Sequence, residues 1–158
     1  MTLRVRRVVT GHSDNGKAVV QIDEISGDVK SGRPGQEATV IWTTEGFPVD
    51  NANDFDASKR PVATSELNGT VFRIVNYEPG VSPRNHRTDS IDYAVVMSGE
   101  IDMQLDESTV HLKAGDVLVQ RGTIHNWVNL GSEPCVIAFV LIGAKPVAKG
   151  GKALQASG

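Results

Sequence analysis

Two stretches of the chain decide its fold: GVSPRNHRTDSIDYAVVMSG, residues 80–99, and GDVLVQRGTIHNWVN, residues 115–129. Short runs rich in Val and Ile are bounded in both by glycine and polar residues, which is typical of strands separated by turns. On an extended chain, residues two apart point to the same face. His86 and Thr88 therefore share a face in the first stretch, and Asp92 has the same parity.

The second stretch presents His125 and Trp127 on one face in the same way. If the two stretches lie side by side, His86, Asp92 and His125 point into one cavity. Two imidazoles and a carboxylate suit a divalent Fe, Ni, Mn or Zn ion and leave coordination positions open. Without a metal, His86 or His125 can act as a general base near neutral pH, with Asp92 fixing its tautomer.

The rest of the chain carries the same β pattern, with turn residues about every ten positions, as in a sandwich or barrel. It predicts an N-terminal hairpin that turns at residues 14–16 and a loop over 26–36. A long loop is predicted over 47–66, with one helical turn near 54–58. Residues 144–158 have neither a turn nor a core signal and are predicted to be a flexible tail.

Composition narrows the class of protein. The chain has 158 residues, 39% of them hydrophobic, and a formal charge of −3, which predicts one globular domain. A mildly acidic chain without a basic block is a poor candidate for binding nucleic acid or a membrane. The single cysteine, Cys135, rules out a disulfide framework. A cytoplasmic, single-domain protein is expected.

The first stretch resembles the first motif of the cupin family. That motif runs glycine, five residues, His-x-His, three or four residues, glutamate, six residues, glycine. The chain has Gly80, His86, Thr88, Asp92 and Gly99 at the matching positions. Thr88 thus replaces the second histidine, and the acid is shortened by one methylene.

The second stretch resembles the second cupin motif, in which glycine is followed by Pro-x-Gly, histidine and asparagine. Gly115, Gly122, His125 and Asn129 match, while Gln120 stands where the motif has proline, one position early. In the family the asparagine tends to bond the backbone, which is the role expected of Asn129. The connection between the motifs is of the short type found in small bacterial cupins.

The resemblance implies a single-domain, all-β cupin jelly-roll β-barrel over residues 1–143, with core motifs at 80–142, and usually a homodimer. It does not imply one reaction, because function lies in the site and not in the fold. Carried over to this chain, the family's metal positions are His86, Thr88, Asp92 and His125. Because threonine is a poor ligand, an occupied and an empty metal site remain equally open.

Three functions stay open: a metal-dependent enzyme acting on a small organic molecule, a metal-free isomerase, dehydratase or decarboxylase, and a non-catalytic binding barrel. The candidate catalytic residues and metal ligands are His86, Asp92 and His125. The candidate substrate contacts are Thr88, Trp127 and Arg87.

Other polar residues near the motifs have structural alternatives. Arg84, Arg87 and Arg121 are surface residues or pair with Asp89 and Asp116. Alternatively, one of them turns into the barrel mouth and binds a carboxylate substrate. His111 lies on the polar parity of a short strand and is expected to face solvent. Cys135 heads an apolar strand and is expected to be buried.

Overall fold

A computed structural model describes residues 2–158, which form thirteen β-strands and one 3₁₀ helix, Ala57–Lys59. The first seven strands are β1 (Arg6–His12), β2 (Ala18–Ile25), β3 (Val29–Arg33), β4 (Gln36–Glu45), β5 (Gly69–Tyr77), β6 (Ser90–Ser98) and β7 (Glu100–Gln104). The others are β8 (Thr109–Lys113), β9 (Val117–Arg121), β10 (Asn126–Val128), β11 (Cys135–Gly143), β12 (Val147–Lys149) and β13 (Lys152–Leu154). The predicted all-β class is confirmed.

Two antiparallel sheets build the body of the jelly roll. A six-stranded sheet has the order β3-β4-β5-β11-β6-β9, and a three-stranded sheet has the order β10-β7-β8. Tight turns link the motif strands, and the turn from β6 to β7 requires Gly99. Its φ is +74°, and a Cβ there would lie 2.3 Å from the main-chain oxygen of Pro134.

The main hydrophobic core lies between these two sheets. Its buried side chains come from β5, β6 and β11 on one side and from β7, β8 and β10 on the other. Alternation is clear on β7, where Ile101 and Met103 are buried and Gln104 is exposed. The inward-facing residues of β11 are Cys135, Ile137, Phe139 and Leu141.

The other face of β11 is also covered. Val136 and Ala138 pack against a second cluster built around Leu3, Ile41 and Ile74. The covering layer is therefore supplied in part by the N-terminal segment of the same chain.

Arg7 holds the N-terminal hairpin to the rest of the fold. Its guanidinium donates to Asp56 at 2.6 Å, to Glu24 at 2.7 Å and to the main-chain oxygen of Ile41 at 3.3 Å. The hairpin turns at the predicted Asn15-Gly16. Asp56 caps the 3₁₀ helix, close to the helical turn expected in the long loop.

Two segments differ from the sequence-based expectations. The predicted loop over 26–36 contains β3, which pairs with the edge of β4. The predicted flexible tail, 144–158, has a defined path, because β12 and β13 form a hairpin and Ser157 pairs with Arg87 through two backbone hydrogen bonds. Main-chain pairing explains both differences, since it needs no apolar side-chain pattern.

The outer face of β6 and β9 leaves several apolar side chains exposed, namely Tyr93, Val95, Met97, Val117 and Val119. The homodimer expected from the sequence stays a prediction, as does the cytoplasmic location. Within residues 2–158, the structure has no helix of the length and apolar character needed to cross a membrane.

Candidate active site

His86 and His125 meet at one end of the jelly roll. The N–H group of each residue donates to the main-chain oxygen of the other at 3.0 Å, which forms a one-residue antiparallel bridge. Their ring centroids are 4.2 Å apart, and both residues are buried. The two segments that the sequence predicted to be neighbours are therefore directly hydrogen-bonded.

Backbone carbonyls set the tautomer of both rings. Nδ1 of His86 lies 3.1 Å from the main-chain oxygen of Arg84, and Nδ1 of His125 lies 2.9 Å from that of Thr123. Because a carbonyl only accepts, each neutral ring carries its proton on Nδ1 and keeps a lone pair on Nε2. The expectation that Asp92 fixes a histidine tautomer is wrong, since these carbonyls do so.

Burial keeps both imidazoles neutral. It lowers the pKa of His86 to about 4, with a smaller contribution from the neighbouring His125 ring. Burial also lowers the pKa of His125. At pH 7 the pair therefore consists of two proton acceptors.

Asp92 ends a buried chain of hydroxyl groups. Its Oδ1 accepts from Ser90 Oγ at 2.6 Å, and the Ser90 and Thr88 hydroxyls are 2.8 Å apart. Because the single Ser90 proton goes to Asp92, Thr88 donates to Ser90 and keeps its lone pairs free. Burial raises the pKa of Asp92, and the hydrogen bonds from Ser90 and Gln120 oppose that shift.

Gln120 connects the carboxylate with the histidine pair. Its Nε2 donates to Asp92 Oδ2 at 2.9 Å and lies 3.3 Å from His125 Nε2. Its Oε1 is buried without a hydrogen-bond partner. The residue that replaces the motif's proline is thus a bridge within the site, with one acceptor left over.

The site lines a cavity of about 50 Å³. Trp127 forms an apolar wall, with its ring edge-on to His125 at 6.0 Å and to Phe139 at 5.8 Å between centroids. The remaining lining is aliphatic, aromatic and basic: Val75, Leu141, Tyr77, Arg33, Arg73 and Arg84, with Gln36 and Thr64 at the edge.

The structure brings most of the predicted site residues to this cavity: His86, Thr88, Asp92, His125 and Trp127. Arg87 does not line it, and its side chain donates instead to the main-chain oxygen of Gly122 at 3.1 Å. Arg121 is exposed, so of the three arginines considered from the sequence only Arg84 reaches the cavity.

Sequence reasoning missed Arg33 and Arg73 as site residues. Arg73 had a usable signal, because it is a charged residue between the apolar Phe72 and Ile74 of strand β5, and buried charges need a partner. Arg33 lay in a glycine-containing segment read as a loop and had no such signal.

Three structural assignments from the sequence are confirmed. Asn129 is buried and donates to the main-chain oxygens of Tyr77 and Glu133, both at 2.9 Å. Cys135 is buried, and burial raises the pKa of its thiol to about 11. His111 is exposed beside Asp102.

A jelly roll with a histidine-lined cavity is the class of protein that these observations define. A family model described as "Cupin domain" matches residues 73–142. Phomopsin biosynthesis cluster protein C' of Diaporthe leptostromiformis is 39% identical over 160 residues, covering 94% of this chain and 83% of the relative. The cupin-domain-containing oxidoreductase fogC of Aspergillus ruber is 32% identical, covering 96% and 79%. The chain belongs to the cupin family.

Solved structures agree on the fold. The cupin domain of Schizosaccharomyces pombe Cnp3 superposes with a TM-score of 0.51 at 12% identity, covering 87% of this chain and 86% of that domain. An RmlC-like cupin from Shewanella frigidimarina gives a TM-score of 0.50, also at 12% identity, covering 74% and 84%. At this identity the likeness concerns the fold alone.

Proposed function

We propose that this cupin is an enzyme that acts on a small organic molecule in the cavity by proton transfer, with His86 as the general base. The observation that carries the proposal is the pair of buried, neutral imidazoles whose Nδ1–H groups are held by backbone carbonyls. A neutral imidazole in this tautomer can take a proton at Nε2. Relatives named cupin-domain-containing oxidoreductases support an enzymatic role.

The surrounding residues have distinct roles in this proposal. His86 removes a proton from the substrate and returns it to another atom of the same molecule, as in an isomerisation, so no oxidant is consumed. Gln120 Oε1 accepts a hydrogen bond from a substrate hydroxyl or amide, which satisfies its missing partner. Trp127 and Phe139 exclude water from the reacting atoms.

The predicted metal ligands do not form a ready donor set. Both Asp92 oxygens accept hydrogen bonds, and the Gln120 amide bridges the carboxylate and His125 Nε2. Within residues 2–158, no group of three or more His, Cys, Asp or Glu side chains is arranged to hold a metal ion. The proposed proton transfer therefore uses only side chains of this protein. A metal ion held by His86, Asp92 and His125 stays a prediction.

The proposal is tested by proton exchange in D₂O, followed by NMR, on a panel of small carbonyl compounds with exchangeable α-hydrogens. The wild-type protein should accelerate exchange for at least one compound. His86→Ala should lose about 10²-fold or more of that rate, the contribution typical of a general base. His111→Ala, which removes an exposed histidine, is the matched control and should keep the wild-type rate.

Metal analysis of the same preparations, purified without added metal, separates the alternatives. A substoichiometric metal content together with exchange supports the proposal. Stoichiometric metal that is lost in both His86→Ala and His125→Ala would replace it with a metal-dependent enzyme. If panel compounds bind but no proton exchange is accelerated, the proposal is replaced by a non-catalytic binding barrel.

A further inference from the structure

The cavity of the proposed enzyme carries an excess of positive charge. Three guanidinium groups line it, those of Arg33 on β3, Arg73 on β5 and Arg84 just before His86, whereas Asp92 is the only acidic residue in its lining. Three cationic side chains therefore face one side-chain carboxylate. Uncompensated charge in a partly buried site is costly unless a ligand neutralises it.

The hydrogen bonds of these arginines leave donors unused. Arg33 Nε donates to the main-chain oxygen of Ser82 at 2.7 Å, and Arg73 Nη2 donates to that of Ala63 at 2.8 Å. Arg33 Nη2 and Arg73 Nε are buried and have no hydrogen-bond partner.

Arg84 donates from Nε and Nη2 to the main-chain oxygen of Gly158, at 3.3 and 2.8 Å. Main-chain oxygens are thus the hydrogen-bond partners found for all three guanidiniums. Among residues 2–158, none of the three forms an ion pair with an Asp or Glu side chain.

Arg73 and Arg84 stand at a junction between two spaces. The inner cavity of about 50 Å³ holds the histidine pair, and an outer groove of about 430 Å³ adjoins it. Arg73, Arg84, Gln36 and Thr64 line both spaces. A groove of this volume is in the range of small-molecule sites, whereas the inner cavity accommodates only the reacting end of such a molecule.

We infer that Arg33 and Arg73, with Arg84 at the rim, bind a carboxylate group of the substrate at this junction. The two unused donor nitrogens correspond in number to the two oxygens of a carboxylate, and the guanidinium fork is suited to that group. The body of the substrate then lies in the outer groove and its reacting atoms lie at His86. The inference rests on the proposed function in one respect, that this cavity is the substrate site.

Equilibrium binding tests the inference without any need for turnover. Isothermal titration calorimetry compares benzoate with benzamide, its neutral analogue of the same shape, and with inorganic phosphate. Benzoate should bind, and it should bind at least tenfold more tightly than either of the others. Equal affinities for benzamide and benzoate would show that the charge of the ligand is not recognised. Tighter binding of phosphate would overturn the assignment to a carboxylate.

Variants assign the binding to particular side chains. Arg33→Met and Arg73→Met should each weaken benzoate binding at least tenfold, and Arg73→Lys, which keeps the charge but not the fork, should weaken it less than Arg73→Met. Arg121→Met, on the exposed end of β9, is the matched control and should bind as the wild-type protein does. Unchanged binding in both methionine variants would overturn the inference.

The binding test still decides if a variant fails to fold, and it does not depend on the proposed reaction. Circular dichroism verifies each variant, and if Arg73→Met does not fold, Arg73→Lys and the three-ligand comparison on the wild-type protein still decide. Absence of proton exchange in the wild-type protein, with benzoate binding intact, would contradict the proposed function alone. Wild-type protein that binds no benzoate at millimolar concentration would contradict the carboxylate site alone.

Discussion

The chain holds histidines in two contrasting regions, the cavity lined by β6, β9 and β10 and the exposed face of β7 and β8. In the cavity, His86 and His125 have carbonyl partners and no carboxylate, and burial lowers their pKa values. On the exposed face, His111 Nδ1 lies 2.7 Å from Asp102 Oδ1, and His111 Nε2 lies 3.4 Å from Glu100 Oε2. These carboxylates raise the pKa of His111. Residue type alone therefore does not indicate a base, because solvent and the nearest charge decide the protonation state.

The largest expected effect comes from breaking the apolar wall of the cavity. Trp127→Ala removes a fully buried ring that packs on Phe139 and His125, and should lower the free energy of unfolding by about 3 to 5 kcal/mol. Chemical denaturation measures the change. Tyr93→Ala, at a half-exposed aromatic on β6, is the control and should cost much less. Equal losses of unfolding free energy in the two variants would show that Trp127 contributes no more to packing than a half-exposed aromatic residue.

The second effect is a pH dependence of opposite sign in the two regions. The folded-state pKa of His86, about 4, lies below its ordinary value near 6.5, so between these values the unfolded chain binds the extra proton. Stability is therefore full above about pH 6.5 and falls as the pH falls towards 4, by at most about 3 kcal/mol for this group. The raised pKa of Asp92 opposes the trend at the acidic end.

Urea denaturation of the wild-type protein and His86→Gln at pH 7 and pH 5 measures this dependence. The variant should lose less stability on acidification than the wild-type protein. His111→Gln is the matched control. Because the folded-state pKa of His111 is raised, its stabilisation is present below its ordinary pKa and disappears as the pH rises through the raised value. Parallel pH curves for the wild-type protein and His86→Gln would contradict the assignment of a neutral, buried His86.

A smaller effect is expected from removing the amide bridge. Gln120→Met deletes the donor to Asp92 Oδ2 and His125 Nε2, and should cost about 1 to 3 kcal/mol because buried acceptors lose their partner. The pKa of Asp92 should rise further, as measured by NMR titration. Gln21→Met, on the exposed β2 strand, is the control. An unchanged Asp92 titration would mean that the bridge does not stabilise the carboxylate.

The smallest effect belongs to the exposed region. His111→Ala should leave the melting temperature unchanged, because ion pairs in contact with water contribute little to stability. Asp102→Asn should return the pKa of His111 towards its ordinary value, and salt should do the same in the wild-type protein. Insensitivity of the His111 titration to both changes would contradict the pairing.

The position of the site could be predicted because the residue alternation within each histidine-bearing segment combines with one pairing between these two distant segments. Alternation along β6 predicts that Asp92 is buried, and the resemblance to the two cupin motifs implies that His86 and His125 are neighbours. The Asp92–Gln120 contact was not predicted, because it depends on β6 pairing with β9 in a register that places these two residues opposite each other. Arg33 and Arg73 meet the site only because β3, β4 and β5 lie side by side in the large sheet.

The amino-acid sequence by itself determined the β class and the turns at glycines, since these follow from period-two alternation and backbone geometry near each residue. The pairing of the two histidine-bearing segments was expected from the resemblance to the two cupin motifs. Only the tertiary structure decided that Gln120 bridges Asp92 and His125, that two half-buried arginines share their cavity, and that the last residues pair with Arg87. Those contacts join residues far apart in the chain through strand register and burial, which no local pattern encodes.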